Sequence, residues 1–370
     1  MIDLQKVAHF LIIVTISVYG LVVAQPILVP LVFAIFLALM LKPLNEIIGK
    51  FIPWQIAQVF LTIIIAVIPP SLLIFAFGWQ ILNILGDLPS ITAEIKSGVN
   101  TIYTWINSRI HFPQSSGIGW LRDNFSSLLK APLNFFSESV SSSANLLINA
   151  GLVIVYTFLL LLYRKAFRKF LLLQFEHGAE FKAKKLFREI YNVSRGYLYG
   201  MLTVTLILGV LNSLGLWLIG VDYPIFWGLF AAILAIVPYI GTFLGGLFPT
   251  LYSLAVTTTL WQPLAVIGLF TFIQILEGNF ITPKVVGKSV NVNPLAAILA
   301  LVTGGVLWGA AGLVIAVPVI AIVKIIMDRI AIFKPLSILL SSDLPEKKSK
   351  LSNELDKPQY SLWEYFKKDT

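Results

Sequence analysis

Cysteine is absent from all 370 residues, which excludes disulfides, thiolate metal sites and cysteine nucleophiles. Charge is scarce: Asp, Glu, Lys and Arg make up 12% of the chain, against about 25% in soluble domains. Histidine is reduced to His9, His111 and His177, far apart in the sequence, and no His-Glu-x-x-His occurs, so no zinc site suggests itself. A Walker A sequence and a Gly-x-Ser-x-Gly elbow are both missing, which removes two common routes to nucleotide hydrolysis and serine catalysis. The expectation is a protein that is not an enzyme, with no catalytic residue, no resident metal and no cofactor.

Apolar residues are what the chain has instead, 58% of the total. Several runs approach the ~20 apolar residues that span a bilayer. This composition predicts an all-α polytopic membrane protein with lipid as a partner. The net charge of +9 does not point to nucleic acid, because the basic excess falls between apolar spans, where the positive-inside rule explains it.

Hydropathy predicts about six full spans, near Val7–Val23, Ile27–Leu41, Ile56–Leu85, Leu146–Tyr163, Tyr197–Ile219 and Leu264–Ile281. A cleaved signal peptide is the alternative for the first, with Val22 and Ala24 at the cleavage site. A retained helix is favoured, because the apolar core is long and Pro26 leads straight into another apolar run. Pro69 and Pro70 are expected to kink the third span.

The spans and their linkers divide the chain into five parts. Residues 1–85 are N-terminal scaffold helices, 86–145 an extracytoplasmic amphipathic segment, and 146–195 a span with a basic cytoplasmic loop. Residues 196–330 form a transport core and 331–370 a cytoplasmic tail. In the second part Leu88, Ile91, Ile95, Val99, Ile102, Ile106 and Ile110 recur at three- and four-residue steps. That seam either rests on the membrane or its own subunit, or joins copies into a homo-oligomer; both readings stand. From Arg164 to Arg195 nine Lys/Arg face three acids, Glu176, Glu180 and Glu189, which orients this stretch and both termini to the cytoplasm.

After Arg195 charge nearly vanishes: from Gly196 to Val323 only Asp222, Glu277, Lys284 and Lys288 are charged. Pro224 and Pro294 each open a short apolar arm. A breaker-rich tip follows each (Pro238 to Gly241, and Gly304 to Gly309), and Pro249 or Pro318 interrupts each returning arm. The pattern predicts two re-entrant helical hairpins in an inverted repeat, as many secondary transporters have, although full crossings satisfy the same parity.

Glu277 is the leading candidate residue. A carboxylate inside an apolar span costs a few kcal/mol or more, so such acids usually serve an ion or substrate path. It could carry a proton or bind Na+, or it could be a structural acid held by Lys284 or Lys288. Gln274 and Asn279 could add neutral oxygen ligands, which hard cations favour, or could cap a broken helix. Carbonyls near Pro238, Gly241, Gly304 and Gly305 could coordinate a cation, or the glycines could serve close helix packing. Pro249, Pro283, Pro294 and Pro318 are read as helix breakers and hinges. Asp222 is read as a cap or turn, and Asn212 as an interhelical hydrogen bond.

The runs IVPYIGTFLGGLFP (Ile236–Pro249) and QILEGNFITPKVVGKSVNVNPLAAILALVTGGVLWGAAGLVIAVP (Gln274–Pro318) resemble the AI-2E family, the autoinducer-2 exporter-like permeases. The ordered set Pro238-x-x-Gly241, Gln274-x-x-Glu277, Pro283, Gly287, Pro294, Gly304-Gly305, Gly312 and Pro318 carries the resemblance. It implies a multi-pass, oligomeric inner-membrane permease. Described members include exporters of a small quorum-sensing signal and sodium(lithium)/proton antiporters. The reading is thus a secondary transporter of a small solute or ion, alternating-access and coupled to H+ or Na+. The alternatives are a Na+/H+ antiporter without an organic substrate, a passive channel, or a non-transporting membrane scaffold.

Overall fold

A computed structural model describes residues 4–80, 143–175, 180–237, 240–257, 259–286, 290–330 and 333–342. The amphipathic repeat Leu88–Ile110, Pro238, Gly287, Lys288 and the tail beyond 342 lie outside the described residues. Among the described residues there is no strand. In oil each backbone N–H and C=O must be satisfied within its own segment, and helices do that.

The helices, in chain order, begin with α1 Leu4–Val23, α2 Gln25–Ile48, α3 Gln55–Gln80 and α4 Ser143–Leu162. α5 Arg164–Leu173, α6 Glu180–Ile219, α7 Pro224–Leu234, α8 Ile240–Val256 and α9 Trp261–Leu276 follow. A π-helical turn, Glu277–Ile281, leads into α10 Thr282–Val285, and the series closes with α11 Pro294–Met327 and α12 Lys334–Leu340. Among the described residues five helices are long and apolar enough to cross a membrane, and a sixth if α4 and the bent-away α5 count as one span. With such apolar walls, large side chains stay uncovered by protein, Trp217 and Val306 among them, as expected where lipid is the solvent.

The chain forms two compact units, one drawn from Met1–Ile63, Asn149–Gly200 and Val286–Thr370, the other from Ile64–Ile148 and Met201–Val285.

The first unit is held by a buried polar knot. Asn45 on α2, 1% exposed, donates through Nδ2 to Thr62 Oγ1 on α3 at 3.0 Å. Its Oδ1 accepts from Gln58 Nε2 at 2.9 Å and from the Arg164 guanidinium at 2.6 Å. Thr62 Oγ1 donates in turn to the Gln58 carbonyl at 2.7 Å. Four polar side chains from three helices thereby satisfy one another, the condition for a buried polar network to stabilise rather than cost. Asn45→Leu removes the three links made by the Asn45 side chain and takes from the Arg164 guanidinium its Asn45 acceptor. It is expected to destabilise the protein by about 3 kcal/mol. A detergent melt of Asn45→Leu beside Asn45→Asp, which keeps the acceptor for Arg164, checks this; equal midpoints for Asn45→Leu and wild type would refute it.

α11 starts on a strong signal: Asn293 Oδ1 accepts from the Ala296 N–H at 2.7 Å, and Pro294 occupies the first helical position. Although long enough for a span, it is two arms. Trp308 and Gly309 leave helical geometry, Gly309 at φ 57, ψ −139. A Cβ built on Gly312 would lie 1.9 Å from the Gly304 carbonyl oxygen. Residues eight apart in a straight helix are ~12 Å apart, so the arms fold back on each other. α11 thus doubles back at Trp308-Gly309, and Gly304 and Gly305 serve as the packing seam against Gly312 and Leu313. Trp308 Nε1 also donates to the Leu21 carbonyl of α1 at 3.0 Å.

The second unit has the aromatic core: Phe226, Trp227 and Phe230 of α7 packed with Tyr252 of α8, Leu216 of α6 and Val266 of α9. α6 ends in a Schellman motif, Val221 N–H to Leu216 O and Gly220 N–H to Trp217 O, both 3.0 Å, with Gly220 at φ 81. Gln262 Nε2 donates to the freed Gly220 carbonyl at 2.7 Å, tying α9 to that end. α7 and α8 form the other hairpin. Gly245 lets α8 come against Ala231, and a Cβ on Gly241 would meet the Leu234 carbonyl oxygen at 1.6 Å. Small residues at such crossings are what helix packing in lipid relies on.

Candidate functional site

Within the second unit, Glu277 opens onto a small cavity. Its lining comes from α6 (Leu208, Asn212), α7 with its C-terminal turn (Ala231, Ala235), α8 (Thr242) and α9 (Phe270, Ile273, Gln274), together with Glu277. Gln274 and Glu277 stand three residues apart, which sets them on one helical face. The α7–α8 hairpin supplies the facing wall.

Glu277 is half-buried, and its carboxylate accepts a hydrogen bond from the Thr282 side chain. The ion pairs among the described residues are Lys42–Glu46, Lys184–Glu180 and Arg329–Glu189, and Glu277 is in none of them. Lys284 is exposed and does not hold it. The carboxylate also marks the start of the π turn Glu277–Ile281. Single π turns insert one residue into a helix and are frequent at functional sites, because they free backbone groups and re-aim side chains.

Asn212, 4% exposed, puts a side-chain oxygen with no hydrogen-bond partner among the described residues beside the same cavity. A buried amide oxygen without a donor costs about 1–3 kcal/mol. Such an oxygen can accept from a water or a donor group, or coordinate a cation. Asn212 and Thr242 are thus the site residues that sequence reasoning missed. The only signal for Asn212 was a polar residue in an apolar helix.

The other candidates fall elsewhere. Asn279 donates through Nδ2 to the Ile275 carbonyl of its own helix at 2.9 Å and does not line the cavity. Gly241 is buried at the α7–α8 turn, and Gly304 and Gly305 lie in the α11 seam of the first unit. Pro249 and Pro318 are fully buried inside α8 and α11, Pro294 opens α11, and Pro283 is exposed in α10. Asp222 sits on an exposed bend before α7, followed by Tyr223 in the left-handed region at φ 55.

The cavity admits the centres of water-sized spheres over about 20 Å³, room for a water or small ion, since one water needs about 10–15 Å³ on that measure. The fold defines an all-α polytopic membrane protein. The profile described as "AI-2E family transporter" matches residues 11–332. The chain belongs to the AI-2E transporter family. It is 24% identical over 344 residues to the AI-2 transport protein TqsA of Escherichia coli (strain K12), covering 91% of this chain and 95% of that protein. It is 26% identical over 254 residues to YueF of Bacillus subtilis (strain 168), a candidate transport protein, covering 66% and 67%. YrrI of the same organism, also a candidate transport protein, is 36% identical over 140 residues, 38% of this chain and 39% of that protein, so the chain matches about two fifths of that relative's length.

Proposed function

We propose that this protein is an inner-membrane secondary transporter, a permease or exporter that moves a small solute or ion by alternating access with coupling to H+ or Na+. The observation that carries the proposal is the cavity in which Glu277, outside every ion pair among the described residues, meets the unpartnered Asn212 oxygen. One carboxylate plus neutral amide and hydroxyl oxygens from Asn212, Gln274 and Thr242 is the donor set of a hard monovalent cation. The same carboxylate can instead take a proton, so a proton and a cation compete for one position. One wall is the α7–α8 hairpin, and a shift of that hairpin opens the space to one side.

In this scheme the α7–α8 and α11 hairpins are re-entrant and form an inverted pair, with residues 196–330 as the moving part and residues 1–85 as scaffold. Both termini face the cytoplasm, on the side of the basic stretch Arg164–Arg195. A cation/proton exchanger without organic substrate is the second reading, favoured by the size of the cavity: 20 Å³ holds an ion and not a sugar-sized solute. The name of TqsA ties that relative to AI-2, and an organic cargo here needs a wider conformation than this one.

Purified protein in liposomes with imposed pH or Na+ gradients tests the proposal. Saturable flux with counterflow is expected. Unsaturable flux without counterflow would identify a channel, and no flux of H+, Na+ or solute a scaffold. Asn212→Leu discriminates further. An interhelical hydrogen bond predicts a lower melting midpoint for the variant. A cation ligand predicts an unchanged or higher midpoint and a half-saturating Na+ raised about tenfold or more, the loss of one interaction with a charge.

A further inference from the structure

We propose that α5 is a surface-lying helix that binds the anionic phospholipid headgroups of the leaflet at which α4 ends. The argument starts from length. α4 is 20 residues, ~30 Å at 1.5 Å per residue, the thickness of the hydrocarbon core. Its last carbonyl, that of Leu162, accepts from Gln55 Nε2 at 2.8 Å, which closes the helix at that depth. Tyr163, exposed, stands at the break, and the axis turns by 70° between Leu147–Leu162 and Arg164–Leu173. A membrane-length helix followed by such a turn puts α5 close to the plane of the headgroups.

The sequence of α5, RKAFRKFLLL, divides by face. At 100° per residue Arg164, Lys165, Arg168 and Lys169 share one side, with the half-buried Leu172 among them, while Ala166, Phe167, Phe170 and Leu173 share the other. No residue of α5 is buried; Phe170 is 59% and Leu173 70% exposed. An amphipathic helix with an uncovered aromatic face in water is a liability. At the interface that face sinks about 5–10 Å below the headgroups, and the basic face meets phosphate. Lys165, Arg168 and Lys169 are in no ion pair among the described residues. Arg164 differs: its guanidinium is held by Asn45 Oδ1, which anchors the turn to α2. Charge complementarity therefore selects an anionic lipid surface, and the apolar face selects a bilayer over an acidic protein.

The absence of cysteine makes the test clean. Phe170→Cys and Arg168→Cys are spin-labelled in the full chain, in nanodiscs containing phosphatidylglycerol. The Phe170 label is expected to be reached by oxygen and shielded from a water-soluble nickel chelate, and the Arg168 label the reverse. Separately, wild type is expected to bind phosphatidylglycerol over phosphatidylcholine. Lys165→Gln/Arg168→Gln/Lys169→Gln should lose that preference by about tenfold or more, since each basic residue near an anionic surface adds attraction. Equal nickel access at both labels, as for a helix standing in water to dock an acidic protein, would overturn the proposal. Equal phosphatidylglycerol binding by wild type and the triple variant would do the same. Neither readout depends on flux, so failure here leaves the transport reading standing.

Discussion

Gly312→Ala is expected to be among the most destabilising single-methyl additions available in this protein. Its new Cβ would sit 1.9 Å from the Gly304 carbonyl oxygen and 2.5 Å from the carbonyl carbon, both backbone atoms with no rotamer to yield. The arms of α11 must part by more than an ångström, and the seam loses its packing along Gly304, Gly305 and Leu313. Overpacking of a tight core costs about 1–3 kcal/mol when side chains can give way. With backbone on both sides about 3 kcal/mol or more is expected. Gly268→Ala is the control, since nothing lies within 4 Å of a Cβ there; it should be neutral or slightly stabilising, because alanine is the better helix former. Gly309→Ala should fall between, at about 1–3 kcal/mol, from the positive φ of 57 at the turn rather than from crowding. Melting midpoints in one detergent rank the three. Gly312→Ala melting with Gly268→Ala would mean that the arms do not fold back.

That hairpin shows how much of this molecule the residues disclose before any coordinates. Composition announces the membrane class, and proline and glycine spacing marks where the apolar helices break, because breakers act locally. The turn itself is another matter. Gly304 to Gly309 reads as the tip, and within it the chain turns at Trp308-Gly309 and spends the Gly304-Gly305 pair on close approach, a choice made by the opposing arm. The basic stretch after Leu162 reads as a loop because hydropathy detects oil, not helix. It is helical over α5, and again over the first half of α6, where Lys184 pairs with Glu180 one turn away at 3.1 Å. Glu277 and Gln274 are visible together because three residues separate them. Asn212 and Thr242 reach the same cavity from helices remote in sequence, and the π turn after Leu276 changes no periodicity that a single sequence displays.

Glu277→Gln is expected to abolish net gradient-driven flux, by about 100-fold or more, while the protein still folds. Glutamine keeps the shape and the oxygen that accepts from Thr282 but cannot carry a charge. Taking a desolvated cation's charged partner away costs about 3–5 kcal/mol, and each 1.4 kcal/mol is about tenfold in affinity. Two readouts separate a coupling role from a structural one. Na+ or Li+ should raise the melting midpoint of wild type, because a ligand that binds only the folded state stabilises it by mass action, and should leave Glu277→Gln unmoved. If the carboxyl is instead the proton carrier, the variant mimics its protonated form: solute counterflow should persist while pH-driven net flux disappears. A structural acid held by Thr282 predicts neither pattern. It predicts a lower midpoint with ion response and flux intact, and that result would remove Glu277 from the transport path and leave the Asn212 oxygen to be explained by water alone.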